Sequence, residues 1–160
     1  MKNTWQLTDS SGQLINLFGS LYAVFALRGQ KITQDKVSNV IKVKHHDVYY
    51  YVKRYTSAGK GLKRFFGKPR LQGEWENLQW FTKWGIPTAN LIGFGLEKKW
   101  GLFQRGAIIT QEIANTNNLA QLAAKHNFPN NAVIKTISAQ LAEHTRNLHT
   151  HHFIHNDLKW

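Results

Sequence analysis

The order of hydrophobic and polar positions predicts a small sheet followed by a helix. Residues 14–27 form a mostly apolar segment, typical of a helix or of a helix with a turn, which ends near Arg28 and Gly29. The segments that follow alternate in part between apolar and polar residues and are rich in Tyr and Val, as expected of half-exposed strands. We predict these strands at 31–34, 39–44 and 48–55.

A helix is predicted at 71–84, because its apolar residues recur at helical spacing and fall on one side. They are Leu71, Trp75, Leu78 and Phe81. Gly85 ends this helix and Pro87 prevents its continuation. Before it, residues 57–70 form a loop in which Gly, Lys and Arg alternate around Phe65 and Phe66.

The second half of the chain predicts two more strands and then helices only. The strands are expected at 91–96 and 107–113, joined by a turn near 98–101, with a short helix at 117–126. A longer helix begins near Asn130, with an apolar stripe at Ile134, Ile137, Leu141 and Leu148. A sheet with one helix inserted after its third strand, followed by helices, is an α+β arrangement.

Composition supports a folded chain and indicates an anionic partner. The 160 residues are 42% hydrophobic and 12% aromatic, too apolar for a disordered chain. The net charge of +12, from 21 Lys and Arg against 9 Asp and Glu, favours nucleic acid, lipid headgroups or a phosphorylated substrate. The absence of cysteine excludes disulfides and thiolate metal sites. Residues 14–27 are too short and too interrupted to span a bilayer.

The C-terminal residues carry the pattern with most chemical content. His155-Asn156-Asp157-Leu158 matches the first four positions of the kinase catalytic loop H-x-D-L-x-x-x-N, in which Asp orients the acceptor hydroxyl. Far earlier, Lys53 lies near the end of a predicted strand, and the next helix carries Glu74 and Glu76. A kinase needs a strand lysine at the nucleotide phosphates, held by a glutamate of the following helix. The order of these elements is that of a kinase.

With these motifs the chain resembles the lipopolysaccharide kinase (Kdo/heptose kinase) family over roughly residues 18–160. The similar segments are 22–27, Tyr51-Val52-Lys53-Arg54-Tyr55, 73–78, Gly85-Ile86-Pro87-Thr88, 108–113 and the terminal H-x-D-L. The resemblance implies a protein-kinase-like N-lobe, with an antiparallel sheet and one αC-type helix, and an incomplete helical C-lobe. The domain bounds expected from it are an N-terminal helical extension at 1–28, the N-lobe at 29–113 and the start of the C-lobe at 114–160.

The resemblance also implies roles for individual residues. Lys53 contacts the ATP phosphates and Glu74 is its ion-pair partner. Glu74 is preferred to Glu76 because it matches the family pattern, and the two point about 200° apart on a helix, so only one can face Lys53. Asp157 is the catalytic base and His155 orients its loop. Residues Gln111 to Ile113 would form the linker between the lobes. Backbone groups of Glu112 and Ile113 would hydrogen-bond adenine there.

The implied activity is ATP- and Mg²⁺-dependent phosphorylation of a sugar hydroxyl of the lipopolysaccharide inner core, on Kdo or heptose. The implied partners are ATP and the lipopolysaccharide core or lipid A precursor. The resemblance also implies a cytoplasmic protein on the inner membrane of a Gram-negative bacterium. Two departures stand out. No G-x-G-x-x-G precedes Lys53, so backbone N–H groups of the hairpin and Lys36 would hold the phosphates. The metal-binding Asn and Asp of kinases are absent, so we expect a fragment that has no turnover by itself, with its metal ligands beyond residue 160.

Several alternatives stay open at this stage. The basic loop 59–70 is either a solvated loop or a patch that meets the anionic inner-membrane surface or the acceptor. The histidines at 144, 149, 151, 152 and 155 lack a usual metal-ligand spacing, so loop and helix-end roles are favoured over a metal site. Another small-molecule kinase of the same fold is the second functional reading. A non-catalytic, basic nucleic-acid- or anion-binding protein is the third; we do not expect nucleic acid as the partner, because no nucleic-acid motif is present.

Overall fold

The computed structural model describes residues 2–8, 12–58, 67–126 and 131–154, and for 123–126 and 131 it describes only the backbone. The elements in chain order are β1 (Lys2–Asn3), β2 (Gln6–Leu7), α1 (Ile15–Phe18), α2 (Leu21–Ala26), β3 (Gln30–Gln34), β4 (Ser38–His45), β5 (Val48–Tyr55), α3 (Arg70–Lys83), β6 (Leu91–Lys99), β7 (Leu102–Gln111), α4 (Leu119–His126) and α5 (Asn131–Thr150).

All strands of the described residues join one antiparallel sheet. Its order is β1-β6-β7-β5-β4-β3, and β2 also pairs with β6. Strands β3, β4 and β5 form a meander, α3 follows, and the hairpin β6–β7 then places β7 beside β5. The predicted α+β architecture, with one helix inserted after the three-strand meander, is confirmed.

The predicted elements differ from the structure mainly at their ends. Strand β6 ends later and β7 begins earlier than expected, because their turn is shortened to Trp100 and Gly101, which both have positive φ angles (51° and 79°). At its other end β7 stops at Gln111 and not at 113. Helix α4 begins at Leu119 instead of 117, and residues 14–27 form the two short helices α1 and α2. None of the described helices combines the length and the apolar character that crossing a membrane requires.

One face of the sheet is buried beneath α1 and α2. Side chains alternate between the two faces along each strand, so Val43, Val52 and Ile109 share this face, where they pack with Phe18 and Leu21. The opposite face we call the Lys53 face. It carries Val40, Lys42, Tyr49, Tyr51, Lys53, Tyr55, Ile108 and Thr110.

Helix α3 packs closely against the Lys53 face, and Gly106 makes this approach possible. Leu71 and Trp75 of the helix are buried in a cluster with Tyr55 and Phe94 of the strands. A β-carbon at Gly106 would overlap the Leu71 side chain and would lie 2.7 Å from the backbone oxygen of Gly95. The missing side chain therefore sets how near α3 comes to the sheet.

The N-terminal residues add to the edge of the sheet, which no sequence pattern indicated. Strands β1 and β2 pair with β6, and Gly95, with φ of 155°, leaves room for the backbone of Trp5. The indole Nε1 of Trp5 donates a hydrogen bond to the Phe18 carbonyl at 2.8 Å. The segment 1–28, expected to be a helical extension, thus contains two strands of the sheet besides its helices.

The chain divides into two compact units. The first comprises Met1–Trp80 and Thr88–Glu112, and the second comprises Phe81–Pro87 and Ile113–Trp160. The first unit holds the whole described sheet. In the second, the Trp84 ring stacks on His151 with ring centroids 4.4 Å apart, and the Asn147 side-chain amide donates to the Trp84 carbonyl at 2.7 Å.

We predict that Phe18→Ala lowers the free energy of unfolding by about 3–5 kcal/mol. The Phe18 ring is fully buried and meets Tyr50 edge-on, with centroids 5.3 Å apart. Urea unfolding followed by circular dichroism measures the loss. Tyr22→Ala is the matched control, because Tyr22 lies in the neighbouring helix with 75% of its surface exposed, and its effect should stay within about 0.5 kcal/mol. Equal losses for both variants would contradict this packing.

Candidate active site

An ion pair between Lys53 and Glu74 lies on the Lys53 face. Lys53 is in β5 and Glu74 is in the second turn of α3, and their Nζ and Oε2 atoms are 2.7 Å apart. Both side chains keep about a third of their surface exposed (31% and 29%). The ammonium group is thus held in place while it remains accessible from solvent.

Two further donors fix the carboxylate of Glu74. The Tyr55 hydroxyl donates to Glu74 Oε1 at 2.5 Å and Arg70 Nε donates to the same oxygen at 3.2 Å. Tyr55 is almost wholly buried, and burial, followed by the hydrogen bond to Glu74, raises the pKa of its hydroxyl well above the usual value. The phenol therefore stays protonated and keeps donating at any physiological pH. Tyr55 was not among the predicted site residues, although its position two residues after Lys53 in the same strand places it on the same face.

Glu76 is directed to other partners than Glu74. It pairs with Lys68, and it also accepts a hydrogen bond from the Gln72 amide at 2.9 Å. The hydrogen bond from Lys68 holds the pKa of Glu76 below its usual value. The structure thus brings Lys53 together with Glu74 and not with Glu76, while the contact of either residue with a nucleotide stays a prediction.

The turn between β3 and β4 is closed by its own aspartate. Asp35 Oδ1 accepts hydrogen bonds from the backbone N–H groups of Val37 (2.7 Å) and Ser38 (2.6 Å). We expected backbone donors of this hairpin to hold the nucleotide phosphates, and in this conformation these two are occupied by Asp35. Lys36, at the tip, is exposed and makes no ion pair or hydrogen bond within the described part of the chain. Its role at the phosphates stays a prediction.

The linker residues are tied to the sheet. The Glu112 backbone N–H donates to the Tyr49 carbonyl at 2.9 Å, so this donor is not available to adenine. The Ile113 N–H has no hydrogen-bond partner in the part of the chain that the structure describes. The Glu112 side chain accepts from Lys42 Nζ at 2.5 Å and from the Tyr51 hydroxyl at 3.0 Å. No sequence pattern indicated this network, because Glu112 lies 70 positions from Lys42 and 61 from Tyr51.

Other predicted residues lie outside the described part or have different partners. His155, Asp157 and residues 59–66 of the basic loop are outside the described residues. At the end of that loop, Lys68 and Arg70 are ion-paired with Glu76 and Glu74. Among the described residues, no group of three or more His, Cys, Asp or Glu side chains could hold a metal ion.

The sheet order, the inserted helix and the Lys53–Glu74 pair together define a protein-kinase-like fold. Among solved structures, the chain is similar to one titled "WaaP in complex with acyl carrier protein", with a TM-score of 0.61 and 20% identity. The match covers 79% of this chain and 48% of that chain, so this chain spans about half the length of that WaaP chain.

Residues 24–160 match the model of the lipopolysaccharide kinase (Kdo/WaaP) family. The chain therefore belongs to this family, as its motifs indicated. No curated protein sequence matches it.

We predict that the pKa of the Asp35 carboxyl lies below 3.8, because two backbone N–H groups donate to its charged form. Since the folded-state pKa is lowered, the stabilisation by Asp35 is present above pH 3.8 and is lost as the pH falls through that pKa. Carboxyl-detected NMR titration measures it. In the control Ser38→Ala, only the longer side-chain bond (3.3 Å) disappears, so the pKa should stay lowered. A value at or above 3.8 would show that the turn is open.

Proposed function

We propose that this chain carries the ATP-binding part of a kinase that phosphorylates a sugar hydroxyl of the lipopolysaccharide inner core, Kdo or heptose. The observation that carries the proposal is the partly exposed Lys53 side chain, whose ammonium is held by Glu74 at 2.7 Å on the Lys53 face of the sheet. A lysine so fixed offsets charge on the nucleotide phosphates. Membership of the family supplies the acceptor class.

In the proposed reaction the acceptor hydroxyl oxygen attacks the γ-phosphorus of ATP. The bond between this phosphorus and the β–γ bridging oxygen breaks, ADP leaves, and the hydroxyl proton passes to Asp157, whose loop His155 orients. Lys53 stabilises charge on the α- and β-phosphates, and Glu74 keeps Lys53 in position.

Bound Mg²⁺ would neutralise charge on the β- and γ-phosphates. The described residues next to Lys53 do not fit as its ligands, since both oxygens of Glu74 already accept hydrogen bonds from Lys53, Tyr55 and Arg70. We therefore expect its ligands to be outside the described part of the chain.

We propose a cytoplasmic location at the inner membrane of a Gram-negative bacterium. The proposed lipopolysaccharide acceptor supports it, and so does the net charge of +12, since basic residues are attracted to anionic lipid. We propose that residues 59–70 contribute to this contact. Lys68 and Arg70 should attract an anionic surface less strongly than unpaired basic residues, because each is paired with a carboxylate. A kinase that acts on another small molecule is the alternative, and the acceptor assay below separates the two.

The proposal predicts ATP-dependent transfer of labelled phosphate to lipopolysaccharide precursors by the protein as its source makes it. Asp157→Ala should abolish the transfer and leave ATP binding intact, because the base acts only in the chemical step. Mass spectrometry of the product identifies the phosphorylated sugar. Transfer to other small acceptors but not to the precursors would favour the alternative kinase, and absence of ATP binding would refute both.

Glu74→Gln should lower kcat/KM for ATP by about 10²-fold, the usual scale for losing one oriented charge-stabilising contact. The amide still fits but no longer attracts the Lys53 ammonium. Glu76→Gln is the matched control, since it lies on the same helix and pairs with Lys68 instead; it should change kcat/KM by less than about threefold. If both variants behave alike, the Lys53–Glu74 pair does not serve the nucleotide.

A further inference from the structure

The Lys53 face carries a second polar network, which consists of Lys42, Tyr51 and Glu112. Glu112 Oε1 accepts from Lys42 Nζ and from the Tyr51 hydroxyl, at 2.5 and 3.0 Å. The Lys42 ammonium also lies 4.2 Å from the centre of the Tyr49 ring, a favourable cation–π distance. About four-fifths of the surface of Lys42 and of Glu112 is buried (exposed fractions 20% and 24%).

The position of the network relates it to Lys53. Lys42 and Tyr51 are directly opposite each other in β4 and β5, and Tyr51 precedes Lys53 by two residues. Tyr51 and Lys53 therefore point to the same face, about 7 Å apart along the strand. The network lies on the side of Lys53 where β7 ends and the linker begins. A nucleotide whose phosphates meet Lys53 and whose base reaches the linker must cross it.

This part of the face is less buried than the face beneath α1 and α2. Val40, Tyr51 and Thr110 are only half-buried, whereas Val52 and Ile109, on the opposite face of the same strands, are fully buried. The Tyr51 ring is held at its hydroxyl, and the Lys42 ammonium lies 5.5 Å from its centre. An aromatic ring held in this way is a group on which an aromatic base can stack.

The network also fixes the start of the linker. Glu112 is bound through its side chain to β4 and β5, and its N–H is bound to the Tyr49 carbonyl. An ion pair with this much buried surface adds little net stability, because desolvation offsets most of the attraction. Its directional contacts are better suited to holding Glu112 in one orientation.

We propose that Lys42, Tyr51 and Glu112 are positioning residues for the nucleotide base: they anchor the linker to the sheet and present the Tyr51 ring to the base. The proposal rests on the proposed function, since it needs a nucleotide at Lys53. In this proposal the Lys42, Tyr51 and Glu112 network serves the base, and Lys53 on the same sheet face serves the phosphates.

The test compares ATP with inorganic tripolyphosphate, which has the charge but no base. Both are titrated against the full chain, with displacement of a fluorescent ATP analogue as the readout. Lys42→Met and Glu112→Gln should each weaken ATP binding about tenfold while tripolyphosphate affinity stays within about twofold, because only the base loses its support. Tyr51→Phe keeps the ring and should cause a smaller loss, and Tyr51→Ala a larger one.

A double-mutant cycle of Lys42→Met with Glu112→Gln should show that the two losses are not additive, since each variant breaks the same contact. Lys31→Met, which removes a lysine from the exposed edge strand β3, is the matched control and should leave both affinities unchanged. Glu74→Gln should behave differently and weaken the binding of both ATP and tripolyphosphate, because Lys53 contacts the phosphates of either ligand.

The inference would be overturned if the Lys42 and Glu112 variants bound ATP and tripolyphosphate with equally lowered affinity, or if neither affinity changed. If the protein as its source makes it binds ATP but transfers no phosphate to lipopolysaccharide precursors, the proposed function fails while the inference is still decided by the two affinities. If it binds no ATP, both fail.

Discussion

The close packing of α3 on the sheet at Gly106 is the constraint on which the candidate site depends. Leu71, Glu74 and Trp75 are spaced so that they lie on one side of the helix. The apolar contacts of Leu71 and Trp75 hold the helix, and Glu74 is thereby brought to Lys53. The ion pair is partly exposed and contributes little stability by itself. Apolar packing therefore determines where the charged groups lie, and the ion pair only orients the two side chains toward each other.

Strand β5 serves the core and the candidate site at once. Tyr50 and Val52 point into the core beneath α1 and α2, while Tyr51, Lys53 and Tyr55 point to the opposite face. Because side chains alternate strictly, a shift of register by one residue would exchange the two sets. The burial of Val52 thus determines where Lys53 points, and core packing protects the geometry of the ion pair.

Much of the fold could be predicted from the sequence because local patterns specify it. The alternation in β4 and β5, the helical spacing of Leu71 and Trp75, and the stop at Gly85 each depend on neighbouring residues. The order of these elements, with Lys53 before Glu74, indicated a kinase, and the short motifs within them together with the terminal H-x-D-L indicated the family.

What the sequence did not reveal depends on contacts between distant residues. Strands β1 and β2 are two residues each, too short for any periodicity, and exist only because β6 pairs with them. The bond from Lys42 to Glu112 joins residues 70 positions apart. The turn at Asp35 is a local exception. Its backbone donors were expected to hold phosphates, but an Asp in a turn commonly accepts from the backbone two residues on, and Asp35 occupies these donors itself.

The pairing of the N-terminal strands with β6 has a consequence for the order of folding. Thr4 hydrogen-bonds Leu96, which is 92 residues away in the chain, whereas β4 and β5 are joined by a tight turn. The hairpin can close by local contacts as soon as it leaves the ribosome, but β1 and β2 must wait until β6 has been synthesised. These two strands can therefore pair only after a segment much later in the chain has been made, and their pairing covers the edge that β6 would otherwise expose to other chains.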